Sequence, residues 1–253
     1  MMSYVPINIS DQDHEIRKMK KLTKKAATLE LQEKIKALIL ERNLKPGDLM
    51  PTENELIELL AVSRSSLREA IKSLEALHIL DIHHGIGTFV GESSLVPMIR
   101  GLAFHAQLHL HNDLKCLLDI LDVREILQYG FAPIALAKIS DQQVEQLQQL
   151  VAVIETNARA SHFSPEEERQ IHLLIYQAVE NHLLSQYLDA FWQIYRLLEH
   201  ELPPNTVMPP TIAMQYRDWV DAIEARDLDR VQHAILIYFQ RIRQRLTLKE
   251  TSA

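Results

Sequence analysis

The stretch Met50-Pro51-Thr52-Glu53-Asn54-Glu55-Leu56 decides how the chain is read, together with Val62-Ser63-Arg64-Ser65-Ser66-Leu67-Arg68-Glu69-Ala70 and Gly85-Ile86-Gly87-Thr88-Phe89-Val90. It encodes two short amphipathic helices joined by a tight turn, then a hairpin. Thr52 and Glu55 have the spacing of a capping box, in which hydroxyl and carboxylate each satisfy a free backbone N–H. Leu56, Leu59 and Leu60 give the first helix an apolar side. Ala61-Val62 is a tight connection, and Ser63 caps the next helix, on which Leu67, Ala70, Ile71 and Leu74 face inward. Arg64 and Arg68, four apart, share the opposite face. The period then changes. Leu80 and Ile82 alternate with Asp81 and His83, His84-Gly85-Ile86-Gly87 turns, and Thr88-Phe89-Val90 returns as the second strand of a small hairpin.

Working outward toward the N-terminus, Leu29, Ile35, Leu38 and Ile39 recur at helical spacing, and Pro46-Gly47 ends that helix near Arg42-Asn43. Residues 1–26 are polar with little period and are expected to be a flexible arm. Its positive run, Arg17, Lys18, Lys20, Lys21, Lys24 and Lys25, reads either as a solvated tail or as a source of salt-dependent phosphate attraction. Helix, helix-turn-helix and hairpin over residues 27–92 make a winged helix-turn-helix. That layout suits DNA. A helix fits the major groove, arginine bidentate to guanine is the commonest specific base contact, and hydroxyls at the helix start hold phosphates. The candidate DNA contacts are Arg64, Arg68, Ser63, Ser65, Ser66, Thr52 and Asn54, with His84 and Gly85 at the wing tip. An isolated arginine pair is usually a solvated face and a serine-rich start usually a cap; it is their combination with the wing that points to DNA.

Working toward the C-terminus, Gly91-Glu92-Ser93-Ser94 is a polar link, and strand signals vanish after Val96. Helices are expected at 97–110, 113–139, 141–159, 165–181, 183–201, 211–225 and 228–247. The breaks between them fall at His111-Asn112, Ser140, Ser161 to Pro165, Pro203 to Pro210 and Asp227. Ser140-x-x-Gln143 and Ser164-Pro165-Glu166-Glu167 are good helix starts. The fold class is therefore mainly α: a winged helix-turn-helix with a small β-hairpin wing, followed by an all-α antiparallel bundle over 97–247. Ligand sites in bundles are built between facing helices.

Composition narrows the classes. The 253 residues carry a net charge of −7, with 13 Lys/Arg against 14 Asp/Glu in residues 1–92 and 14 against 20 in the remainder. This front third is locally patterned rather than basic overall. One cysteine, Cys116, excludes an intramolecular disulfide framework; beside Leu117 and Leu118 it reads as a buried thiol. No basic region precedes an apolar run at the N-terminus, and no stretch approaches the roughly 20 apolar residues of a spanning helix, so a cytoplasmic protein with no membrane partner is expected.

Residues 29–90 resemble the DNA-binding domain of the GntR family of bacterial transcription regulators. The likeness rests on Leu44-Lys45-Pro46-Gly47-Asp48-Leu49-Met50-Pro51-Thr52-Glu53-Asn54-Glu55-Leu56 and on the second and third blocks quoted above. It implies operator contacts from Arg64, Arg68, Ser63, Ser65, His84 and Gly85. Asn54 stands where the family usually has arginine. Residues 97–247 resemble the all-helical FCD effector domain of the FadR-like branch. This likeness rests on Val123-Arg124-Glu125-Ile126-Leu127-Gln128, on Glu168-Arg169-Gln170-Ile171-His172 with Asn181, and on Ala222 to Asp227. Many members bind a divalent metal there through a carboxylate and three histidines. Glu168 and His172 match the first two ligands, whereas Tyr216 and Tyr238 stand at the other two positions. Tyrosine, with a pKa near 10, is a poor ligand beside imidazole. No cofactor is expected, and Glu168 and His172 remain only as weak candidates for a divalent metal, with His172 a hydrogen-bonded core histidine. The resemblance makes Arg124, Glu168, His172, Tyr216 and Tyr238 the candidate effector-binding residues, with Arg124 suited to a carboxylate. Phe191, Trp192, Tyr195 and Phe239 read as core rather than as a ligand box.

The expected function is a ligand-responsive, sequence-specific DNA-binding transcription regulator working as a homodimer: a repressor released by a small metabolite, an organic acid or an acyl compound. The alternative is an effector-independent DNA-binding regulator or architectural protein. A metal hydrolase is disfavoured because no nucleophile elbow, phosphate loop or zincin motif is present, and no catalytic residue is assigned.

Overall fold

The computed structural model describes residues 9–92, 94–109, 114–161, 165–198, 202, 205 and 207–250. The chain divides into two compact units, 1–97 and 98–253. The expected breaks at His111-Asn112 and His162 to Ser164, residues 203, 204 and 206 of the Pro203–Pro210 loop, and residues 1–8 of the arm lie outside the described residues.

The first unit begins with α1 (Ile9–Glu41), followed by α2 (Glu53–Leu60), α3 (Arg64–Ala76), β1 (Leu80–His83) and β2 (Gly87–Val90). The flexible-arm expectation fails over residues 9–26, which continue α1. This segment contains neither glycine nor proline, and five of its eighteen residues are lysine, a good helix former. Periodicity reports burial, and among the described side chains of α1, from Lys24 onward, the buried positions start at Leu31. The inward row is Leu31, Ile35 and Ile39, with Leu38 beside it, while Leu29 is half exposed. Leu59 likewise points outward from α2, where Leu56 alone is fully buried. Leu67, Ala70, Ile71 and Leu74 of α3 pack against α1 and complete the core with Met50, Leu80 and Val90. Truncating a side chain as buried as Leu67 or Leu74 costs about 2–5 kcal/mol.

The two strands pair antiparallel, Leu80 opposite Val90 and His83 opposite Gly87. The segment before α2 adds to this hairpin. Gly47 N–H donates to Val90 O (2.8 Å), Val90 N–H to Asp48 O (2.9 Å) and Met50 N–H to Thr88 O (2.8 Å). Gly47, at φ +86°, takes the left-handed turn that lets the backbone make these bonds. Thus the Lys45–Met50 block of the sequence anchors the root of the wing.

The second unit is built from α4 (Val96–His109), α5 (Lys115–Lys138), α6 (Asp141–Arg159), α7 (Pro165–Gln177), α8 (His182–Leu198), α9 (Pro209–Glu224) and α10 (Leu228–Glu250), the first two residues of α4 falling in the first unit. Ser140 and Gln143 form the capping box that starts α6. α9 starts two residues earlier than expected, because proline is tolerated in a helix's first turn, where its missing N–H would be unpaired anyway. Asn181 accepts from Leu184 N–H (3.0 Å) at the start of α8, so it serves as a cap. Cys116 is half-buried rather than buried. Helices α6 and α9, α9 and α10, and α10 and α5 pack in succession, while α7 lies against α5, α6 and α8. Side chains from α5, α7, α9 and α10 reach the same interior region, and α8 covers it with aromatic rings.

Candidate DNA-reading surface and interior ligand site

The start of α3 is fixed by local bonds. Ala61 takes a left-handed conformation (φ +51°), turning the chain sharply between α2 and α3. Ser63 Oγ accepts from Ser66 N–H (3.2 Å) and lies 3.0 Å from Ser65 Oγ and 2.9 Å from Ser66 Oγ. The three hydroxyls therefore form one exposed cluster at the helix N-terminus, where backbone N–H groups favour an anion. Arg64 and Arg68 leave the same end of the helix with side chains 60% and 62% exposed.

Neither arginine is free. Arg68 grips both carboxylate oxygens of Glu53, with Nε 3.0 Å from Oε1 and Nη2 3.2 Å from Oε2. Arg64 Nη2 donates to Asn54 Oδ1 (2.8 Å), and its Nε lies 3.4 Å from Glu53 Oε1. Glu53 was absent from the candidates read from sequence. Its position at the first residue of α2, where acidic residues are common for helix-dipole reasons, gives no signal of a role toward α3. Thr52 is committed to its own helix: its Oγ1 accepts from Glu55 N–H (3.4 Å), and Glu55 Oε2 accepts from Thr52 N–H (2.7 Å). Those bonds hold the Glu55 carboxyl below its ordinary pKa. His84 and Gly85 sit exposed at the hairpin tip, with Gly85 at φ +77°. The head thus brings Arg64, Arg68, Ser63, Ser65, Ser66 and Asn54 to one end of α3, holds Thr52 in a cap, and carries His84 and Gly85 at the tip of the wing.

In the helical unit, Arg124 (α5), Glu168 and His172 (α7), Tyr216 (α9) and Tyr238 (α10) are all buried and meet. Arg124 Nη1 donates to Tyr238 Oη (3.0 Å). His172 Nε2 lies 3.3 Å from Tyr216 Oη, and its ring centroid is 4.4 Å from that of Tyr238. Gln128 Nε2 reaches His172 Nδ1 at 2.8 Å. With Gln128 donating, Nδ1 is the acceptor and Nε2–H faces Tyr216. Burial, and then the charges of Arg124 and Arg241, hold His172 well below the usual imidazole pKa. Burial pushes the Tyr216 and Tyr238 hydroxyls up, so both stay protonated.

Two groups of residues here were not among the sequence candidates for the pocket. Arg241, one turn beyond Tyr238 on α10, makes a buried ion pair with Glu168. Its i, i+3 relation to Tyr238 was the available signal. Phe191, Trp192 and Phe239, expected to be plain core, surround Arg124 together with Tyr238. Its guanidinium carbon lies 4.2 Å from the Phe191 ring centroid, 4.8 Å from Trp192, 5.1 Å from Tyr238 and 5.4 Å from Phe239. Arg124 Nε and Nη2, Trp192 Nε1, Trp219 Nε1 and Gln128 Oε1 are buried polar atoms without a partner.

A divalent metal does not suit this donor set. Glu168 is already bound to a guanidinium that never deprotonates, both His172 nitrogens are engaged, and the remaining two oxygens belong to protonated phenols. Among the described residues no group of three His, Cys, Asp or Glu is placed to hold a metal ion.

Residues 27–90 match the family described as bacterial regulatory proteins, gntR family, and residues 119–241 match the FCD domain. The HTH-type transcriptional regulator YcbG of Bacillus subtilis is 25% identical over 230 residues, covering 90% of this chain and 94% of YcbG. The HTH-type transcriptional regulator LutR of the same organism is 28% identical over 152 residues, 60% of this chain and 68% of LutR. The solved structure of Streptococcus agalactiae GntR has the same fold, with a TM-score of 0.59 and 24% identity over 86% of this chain and 99% of that one.

Proposed function

Because this chain belongs to the gntR family of bacterial regulatory proteins and carries an FCD domain C-terminal to its winged head, we propose that it binds an operator through Arg64 and Arg68 and releases it when a small anionic metabolite enters the helical unit. It is a DNA-binding transcription regulator. The observation that carries the site assignment is the start of α3, where two exposed arginines and three clustered hydroxyls stand together. We assign base reading to Arg64 and Arg68, with Asn54 orienting Arg64, and phosphate contacts to Ser63, Ser65 and Ser66. Thr52 acts first as the cap of α2 and contacts the DNA only from that position. His84 and Gly85 touch the DNA from the wing.

The protein works as a homodimer on a near-palindromic operator, so that two recognition helices enter successive major grooves. It does no chemistry and needs no metal cofactor; effector binding shifts a population of conformations. Its place of work is the cytoplasm, and no described helix is long and apolar enough to cross a membrane. Arg124 supports a carboxylate in the effector, because its unpartnered Nε and Nη2 form the edge that grips two carboxylate oxygens at once.

The test selects operator fragments from genomic DNA with the full chain, then compares variants by gel shift at fixed salt. Arg64→Ala and Arg68→Ala should each weaken specific binding by about 10-fold or more while leaving non-specific binding within a few-fold. Undiminished operator binding by both variants would remove the assignment.

A further inference from the structure

Opposite charges do not balance inside the helical unit. Among the described residues its buried ionised side chains are Arg124, Arg241 and Glu168. His172 Nδ1 accepts from Gln128 Nε2–H, so its ring carries no charge, and Tyr216 and Tyr238 are uncharged phenols. Arg241 and Glu168 cancel one another through their ion pair. Arg124 is left over, at 0% exposure, with Nε and Nη2 unpartnered. The four rings around it offset part of its lost hydration. They bring no formal negative charge, and an uncompensated interior cation is strongly disfavoured.

We infer that the Arg241–Glu168 pair takes the place of a divalent metal in this pocket and leaves Arg124 as the single charge to be neutralised, so that the ligand is a monocarboxylate bound without metal. This deepens the effector reading above and rests on it. A monoanion brings the interior to neutrality, whereas a dicarboxylate buries one negative charge in excess. The carboxylate's two oxygens take the Arg124 Nε and Nη2 donors. The unpartnered Trp192 and Trp219 indole N–H groups are donors for a hydroxyl or carbonyl elsewhere on the ligand, and Gln128 Oε1 accepts from a hydroxyl. The aromatic walls favour an apolar body between these polar ends. A metal-dependent pocket instead demands that Glu168 be released from Arg241, which would strand the second guanidinium.

The experiment is thermal unfolding of the full chain in EDTA, with sodium acetate, L-lactate, hexanoate and benzoate set against malonate, succinate and adipate. Acetamide and hexanamide serve as uncharged controls. At least one monocarboxylate should raise Tm by about 5 °C near 100-fold its Kd, with no response to the amides and less to the dicarboxylates. Stronger stabilisation by dicarboxylates, or a response that appears only with added ZnCl2 or NiCl2, overturns the charge inference while leaving the effector reading standing. Silence across the whole series overturns it too, and DNA binding, measured separately, then shows whether the regulator reading survives. Two variants make the charge visible directly. Arg124→Met should raise the Tm of the ligand-free chain by about 2–4 °C and abolish the monocarboxylate response; a fall in Tm without ligand means the cation was already satisfied. Glu168→Gln keeps a partner for Arg241 but leaves a second uncompensated charge, so preference should move toward dicarboxylates. An unchanged preference counts against the inference.

Discussion

Glu53 holds both arginines at the start of α3, so in the proposed operator complex its carboxylate would face the negative charge of the DNA. With Arg64 and Arg68 reading bases as proposed, Glu53 would pre-orient Arg68 and repel phosphates that arrive without a matching base edge. Glu53→Gln should therefore tighten non-specific DNA binding several-fold and weaken operator binding, narrowing the ratio between them; titrations with operator and scrambled duplex measure both, and an unchanged ratio rejects the role. His172 sets a different expectation. Its folded pKa is held well below the ordinary 6.5 by burial and by Arg124 and Arg241, whereas the unfolded chain takes up the proton. The stability contributed by the neutral ring is complete above about pH 6.5. It is lost as pH falls below that value, by about 1.4 kcal/mol per unit until the folded pKa is reached. Melting curves from pH 7.5 to 5 should show this slope, and His172→Gln should flatten it. Equal slopes in both proteins would mean that the ring is protonated in the folded state. Of these residues, His172 was singled out from the sequence and Glu53 was not. Glu53 looks like an ordinary first-turn acid until the turn at Ala61 brings α3 beside it.

At the scale of the element, local signals were legible where they involve neighbours in sequence. Both expected capping boxes, Thr52 with Glu55 and Ser140 with Gln143, formed. Because the Thr52 hydroxyl caps α2, Thr52→Ala should cost about 1 kcal/mol of head stability. Thr52→Ser should restore both stability and DNA binding; if Thr52→Ser recovers stability but not operator affinity, the methyl group itself contacts DNA. The hairpin was legible for the same reason, through alternation and glycines at its turn. Its anchoring was not, since the bonds from Gly47, Asp48 and Met50 to β2 cross some forty residues of chain. The first half of α1 escaped because it carries no apolar period, and its helix is favoured by a composition free of glycine and proline.

For the whole molecule, charge is distributed by task. Most of the net −7 lies beyond residue 92, and the first 92 residues are close to neutral with a positive run between Arg17 and Lys25. Non-specific attraction to DNA should therefore be weak and depend on that run. Replacing Lys18, Lys20 and Lys21 by glutamine should lower the slope of log K against log salt by up to about 0.9 for each phosphate no longer neutralised. A slope identical to that of the parent chain would place the run away from the DNA. The winged head, its arginine-bearing helix and the helical bundle that follows were readable from the residues alone. Each of these is written in short-range signals: caps, turn glycines and the periods of helix and strand. Only the tertiary structure decided that Glu53 closes over both arginines, that Arg241 neutralises Glu168, and that Arg124 is left without a counter-charge among aromatic rings. Those pairings join residues far apart in the chain, and no spacing rule along a sequence reports which buried charges will meet when helices pack.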